Sequence, residues 1–288
     1  MSVEKIPRYT LHCGEALAIL RGLPSDSVDT IFTDPPYSSL EKHRKVGSTT
    51  RLAVSDGSSN KWFPVMDNDV LLGHCAEMLR CLKAGRHAYF MCDPSTSYDV
   101  LPLLLKQGWN WGNRLIWHKT GGFGLGYHYR RSYEDILFLW KGPKTAKRRL
   151  ASASIPDLLP FPRLKGAQYW PTEKPSALIE TLIHQSTEAG ELVLDPFCGS
   201  GSAGEAALTA GCRFLGIDIT PEAIRRSTER LSGLSEAPKA PTPAPEPPEE
   251  ADEAPEPVQT APATKPKVRV LAAPQGMRPL FGSPKVQA

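Results

Sequence analysis

Residues 191–219 read ELVLDPFCGSGSAGEAALTAGCRFLGIDI. The apolar run at 192–194 is short and bounded by a turn signal, which predicts a buried strand over 191–197. SAGEAALTAG (202–211) has the composition of a helix ending in glycine, and RFLGIDI (213–219) reads as a second buried strand. Strand, glycine turn, helix and strand make one βαβ unit, whose two strands must run parallel.

The same alternation continues on both sides. VDTIFT (28–33), HAYFMC (87–92), RLIWH (114–118) and DILFLW (135–140) are further apolar, β-branched or aromatic runs. Residues 69–83, 101–109 and 174–190 carry apolar residues three and four apart and predict helices, and 221–233 predicts another with proline at its first position. Such an order implies an α/β fold, a doubly wound and mostly parallel sheet with helices on both faces. Residues 38–68 are polar and without period and read as a loop, and 121–132 form a glycine-rich loop between two strands. From 235 onward the chain changes character, for 13 of its 28 prolines lie in 236–288. That tail has no periodic apolar face, so a globular domain over 1–234 followed by a disordered tail over 235–288, dispensable for activity, is the expected organisation.

Two motifs carry chemistry. In the first, Gly199, Gly201 and Gly204 match G-x-G-x-x-G, and Asp218 ends the next strand. Glycines allow close backbone approach and the helix start offers free N–H donors, which is the layout of a dinucleotide site. A tight structural turn explains the glycines equally well. What distinguishes this sequence is Asp195-Pro196-Phe197 between strand and glycines: a carboxylate there repels a pyrophosphate and suits an ammonium-bearing ligand. The second motif is Asp34-Pro35-Pro36-Tyr37, directly after the strand 28–33. An exocyclic amine of adenine or cytosine is a weak nucleophile because its lone pair is delocalised into the ring. Two acceptors holding its N–H bonds pull the nitrogen toward tetrahedral geometry. Asp34 supplies a carboxylate, Pro35 a carbonyl held by its ring and by Pro36, and Tyr37 an aromatic face for the base.

Together these residues resemble the S-adenosylmethionine-dependent amino-methyltransferases of DNA. TDPPY (33–37) is similar to the family's catalytic motif and LDPFCGSGS (194–202) to its cofactor motif. TEKP (172–175), LKAG (82–85), GID (216–218) and CGEAL (13–17) match further segments, and the catalytic motif precedes the cofactor motif as in the permuted β group. The resemblance implies that Asp195 meets the methionine ammonium, that Pro196, Phe197, Gly199 and Gly201 form the cofactor loop, that Asp218 holds the ribose, that Glu15 lies at the adenine, that Lys174 and Pro175 flank the cofactor, and that Asp34 also lines the cofactor site. It implies methylation of N6 of adenine in double-stranded DNA, since aspartate at position 34 leans to adenine and serine to N4 of cytosine, with RNA as a further substrate to test. It also suggests a homodimer. A NAD-dependent oxidoreductase and a catalytically silent DNA-binding module are the rival readings.

Charge and cysteine usage fit this reading. The chain carries 34 Lys and Arg against 31 Asp and Glu. The excess lies before the tail, which permits a polyanionic partner without requiring one. Lys42, Arg44, Lys45 and Arg51 in the 38–68 loop are expected to face DNA, as are Arg130 and Arg131 after the glycine loop. So is the basic stretch of Lys144, Lys147, Arg148 and Arg149, within a target-recognition region at about 141–170. Six scattered cysteines with no Cys-x-x-Cys pair predict buried free thiols of a reducing cytoplasm, the resemblance implies a bacterial or phage-encoded enzyme, and the histidines show no metal-ligand spacing. There is no run of about 18 apolar residues, so no membrane span is expected.

Overall fold

The structure is a computed structural model, and it describes residues 7–36, 66–121, 129–164 and 173–234. Tyr37, Lys42, Arg44, Lys45, Arg51 and the tail from 235 lie outside the described residues. Eight strands form one sheet: β1 (Tyr9–Cys13), β2 (Val28–Thr33), β3 (Leu82–Cys92), β4 (Trp109–Thr120), β5 (Tyr133–Lys141), β6 (Leu158–Pro162), β7 (Leu192–Asp195) and β8 (Arg213–Asp218), in the order β1-β8-β7-β2-β3-β5-β4-β6. Only β5 runs against the others. Among the described residues six helices pack on the sheet: α1 (Ala16–Gly22), α2 (Asn68–Cys81), α3 (Pro94–Lys106), α4 (Ser176–Ser186), α5 (Ser202–Thr209) and α6 (Pro221–Ser232).

The helices divide evenly between two cores. Leu20, Leu71, Met78, Val100 and Leu104 of α1–α3 cover Ile31, Leu137, Leu139 and Leu194 on one face. Leu178, Leu182, Ala206 and Leu231 of α4–α6 cover Phe32, Ile136, Phe138 and Val193 on the other. All six residues of β2 are buried, which is why VDTIFT reads as a continuous run rather than an alternation. After β7 the chain winds toward β8, and after β2 toward β3, so the strand order reverses between β2 and β7. These two strands are parallel neighbours, pairing Thr30 with Val193 and Ile31 with Leu194. In open α/β sheets a ligand crevice forms at such a point, beyond the carboxyl ends of the strands.

Several elements differ from their expected bounds. β1 and α1 arise from a stretch with no strong period, and α1 is started by Glu15, whose carboxylate accepts from the N–H groups of Leu17 and Ala18. α3 begins at Pro94 rather than 101, because Asp93 caps it through Thr96 N at 2.8 Å and proline suits a first turn. β6 hides behind Pro160 and Pro162, which a sheet tolerates only at its edge, where β6 lies. No helix among the described residues is long and apolar enough to cross a membrane.

Candidate active site

Four acidic residues stand in a row at the carboxyl ends of β1, β8, β7 and β2: Glu15, Asp218, Asp195 and Asp34. Register sets the row, since Cys13 pairs with Asp218, Asp195 with Gly216, and β7 with β2. Gly14 N donates to Asp218 O at 2.9 Å, which ties Glu15 to the end of β8.

The glycine loop is held from below and behind. Phe197 N donates to Asp195 Oδ1 at 3.0 Å, Gly199 N to Asp218 Oδ2 at 3.0 Å, and Ser227 Oγ of α6 to Gly199 O at 2.8 Å. Asp218 Oδ1 also accepts from Thr220 N and Oγ1 at 2.9 and 2.6 Å. Gly201 caps α5 with φ +83°, and a Cβ there would lie 2.9 Å from Ser227 Oγ and 3.1 Å from its Cα. The loop therefore requires glycine both for its backbone angle and for its approach to α6.

Asp195 is buried, and burial drives its proton affinity well above the carboxylate range, with Asp34 and Asp218 adding to the effect. Phe197 N and Lys174 oppose that rise without cancelling it. A buried carboxylate that lacks a full counter-charge fits a cationic ligand group. On the far side of the loop, His74 of α2 bridges Glu15 and Phe197. Its Nε2 lies 3.2 Å from Glu15 Oε1, its Nδ1 2.9 Å from Val70 O, and its ring centroid 5.4 Å from that of Phe197. Burial works against the Glu15 charge, but the N–H groups of Leu17 and Ala18 and the His74 ring outweigh it and hold the carboxyl below its usual value.

Asp34 follows β2, and its Oδ2 takes the ammonium of Lys174. Lys174 is buried directly before α4. Its neighbours are anchored to the second helix layer, with Glu173 paired to Arg230 of α6 and Ser176 Oγ donating to Glu205 Oε2 at 2.7 Å. Lys174 thus sits on the Asp34 side of the row. Glu134 Oε2, at the start of β5, lies 3.7 Å from Lys174 Nζ, and Glu134 Oε1 pairs with Lys119 at the end of β4. Burial raises the Asp34 proton affinity, Lys174 opposes the rise, Glu134 reinforces it, and the carboxyl stays above its usual range. Burial also disfavours the Lys174 charge, but Asp34 and Glu134 outweigh it and the ammonium is held above the usual lysine value.

With this arrangement in view, the family-model comparison is decisive: the DNA methylase model for N6 and N4 methylation matches residues 28–229. The chain belongs to this DNA methylase family. The methylase is 29% identical over 254 residues to the DNA adenine methyltransferase YhdJ of Escherichia coli K12, covering 77% of this chain and 82% of that one. It is 28% identical to the type II methyltransferase M.HpaI of Haemophilus parainfluenzae, covering 77% and 73%. Among solved structures that share its fold, the M1.HpyAVI–SAM complex superposes with a TM-score of 0.58 at 22% identity, over 77% of this chain and 98% of that one. The cytosine-N4-specific PvuII DNA methyltransferase gives 0.62 at 17%, over 78% and 88%. Membership sets aside the oxidoreductase reading of the methylase's glycine loop.

The expected DNA contacts divide. Arg130 is exposed, and Arg131 is partly exposed and paired with Asp93 at 2.8 Å. Both lie just before β5 at the active-site end of the sheet. Lys144, Lys147, Arg148 and Arg149 do not join them. β5 is the reversed strand, so the chain leaving it emerges at the opposite end of the sheet, beside Gly85. Arg148 N donates to Gly85 O at 2.9 Å, and the Arg148 guanidinium pairs with Glu188 and Glu191. Lys147 lies over the Trp140 ring at 4.3 Å. Of the basic stretch, β6 alone carries the chain back, placing Arg163 at the active-site end of the sheet edge. Exposed Tyr98, Tyr129 and Tyr133 occupy the same end. Glu134, Lys119 and His74 stand in none of the sequence motifs. The signal for the first two was a charged residue at the rim of each apolar strand flanking the glycine-rich loop.

Proposed function

We propose that the methylase transfers a methyl group from S-adenosylmethionine to the N6 amine of adenine in double-stranded DNA. The observation that carries this reading is a half-buried Asp34 and a buried Pro35 beside the under-neutralised carboxylate of Asp195 at the switch point. Asp195, Phe197, Gly199, Gly201, Asp218 and Glu15 would hold the cofactor. S-adenosylmethionine supplies a methyl group already activated by its sulfonium. Asp34 and the Pro35 carbonyl accept the two N–H bonds of the target amine and free its lone pair. As the nitrogen gains the methyl group it becomes cationic, and Asp34, whose proton affinity is raised, is suited to take the departing proton. Tyr37 would stack on the base, which must leave the duplex because its amine faces the pairing partner.

Aspartate at position 34 and the resemblance to adenine-specific relatives favour adenine. The structural likeness to a cytosine-N4 enzyme supports N4 of cytosine as the second reading. Methylated DNA digested to nucleosides and analysed by mass spectrometry should contain N6-methyladenine; N4-methylcytosine alone would replace the reading with the second. Asp34→Ala should abolish transfer and keep cofactor affinity, and a mutant that instead loses the cofactor would mean Asp34 has another role.

A further inference from the structure

The Lys174 ammonium lies between two carboxylates. One is Asp34; the other is Glu134, on a strand that no motif singles out. Glu134 Oε2 is buried and makes no hydrogen bond within the described structure, although it lies 3.7 Å from Lys174 Nζ. Its other oxygen is held by Lys119, whose Nζ also lies 5.0 Å from the Trp117 ring centroid. The result is a chain of alternating charge, Lys119–Glu134–Lys174–Asp34, running from the β4–β5 hairpin to the reacting carboxylate.

A lone buried carboxylate can rotate and its charge is costly, so something must fix both its orientation and its proton affinity. Lys174 donates to Oδ2, which fixes the rotation of the Asp34 carboxylate. Lys174 is in turn placed from two sides. Its backbone is anchored through Glu173 to Arg230, and its ammonium is drawn toward Glu134. We propose that Glu134 is a positioning residue for methyl transfer, holding Lys174 against Asp34, and that Lys119 tempers its charge. This rests on the reading of Asp34 as the acceptor of the target amine.

Among the described residues, the charged and titratable groups acting on Asp34 include Lys174 before α4, Glu134 on β5, Lys119 on β4, Asp195 on β7 and Cys92 on β3. The carboxylate of Glu134 raises the proton affinity of Asp34, and the ammonium of Lys119 lowers it. Neutralising each should therefore move Asp34 in opposite directions. Glu134→Gln should shift its titration to lower pH and Lys119→Gln to higher pH. Two readouts follow this: carbon-13 NMR titration of the Asp34 carboxyl in the ligand-free protein, assigned with Asp34→Asn, and the acid limb of kcat against pH.

Because a misplaced reacting group costs up to about 100-fold, Glu134→Gln should lose roughly 10- to 100-fold in kcat. Its KM for S-adenosylmethionine should be unchanged. A loss of kcat from Glu134→Gln in the parent that largely disappears in a Lys174→Gln background supports the proposal, because Glu134 then acts through Lys174. The same fold loss in both backgrounds, or no loss in the parent, overturns it, and the titration shifts by themselves report only a nearby charge. If Glu134→Gln proves unfolded, Glu134→Asp in the same two backgrounds decides. Absence of any methylated amine from the parent protein would instead refute the reading on which this rests.

Discussion

Replacing Asp195 with asparagine should make the ligand-free methylase more stable and a poorer binder of S-adenosylmethionine. In the ligand-free protein Asp195 is buried, its carboxylate accepts one backbone N–H at 3.0 Å, and Asp34 and Asp218 add like charge. The folded protein therefore keeps this proton to a higher pH than the unfolded chain, where an aspartate titrates near about 3.9. Between those two values the folded state binds more protons. Its stability falls as pH rises through the window, by about 1.4 kcal/mol per pH unit for one such group. Asparagine cannot ionise and removes that loss. For the cofactor the sign reverses. Pairing with an ammonium selects the carboxylate, so below the raised value of the free protein each unit of acidification should weaken binding about tenfold. Removing one partner of a buried charge pair costs about 2–5 kcal/mol, or roughly 30- to 4,000-fold in affinity. Calorimetric titration with S-adenosylmethionine in two buffers of different ionisation heat measures both affinity and proton release, and a melting curve measures stability. If Asp195→Asn binds as tightly as the parent, or still releases a proton on binding, the pairing argued here is wrong.

Gly201→Ala should lose about 2–5 kcal/mol in urea unfolding, combining the left-handed backbone cost with overpacking against Ser227, whose Cα would lie 3.1 Å from the new methyl; an unchanged midpoint would contradict the loop geometry. Arg130→Ala should weaken DNA binding and reduce the slope of log affinity against log salt by about 0.9, the value of one phosphate contact. The double change Lys144→Ala with Arg149→Ala should leave that slope alone, because both side chains lie at the opposite end of the sheet; a reduced slope there would put DNA on that end too. A fluorescent base analogue at the target position should brighten on binding to the parent and less with Tyr37→Ala, and equal brightening would remove Tyr37 from the base-holding role.

Much of this protein was legible as sequence because its chemistry is local. Strand, acidic residue and proline are consecutive in both DPFCGSG and DPPY, and a glycine turn follows in the first, so each motif announces the strand end it stands on. Burial on both faces turned the central strands into unbroken apolar runs, and alternation with helical periods gave the doubly wound class. Pairings between distant residues carried no such signal. That β5 runs backward is a property of the whole sheet. It sends Lys144–Arg149 to the far end, although their place in the chain, between the last apolar run and TEKP, suggested the groove. Lys174 shows the same limit. Its motif put it beside the cofactor, whereas packing of α4 against α5 and α6, fixed by Ser176–Glu205 and Glu173–Arg230, turns its ammonium onto Asp34, 140 residues away. Local backbone chemistry determines where a motif can stand. Only the folded sheet determines which charges meet across it, since a buried ion takes its partner from whatever the packing brings within a few ångströms.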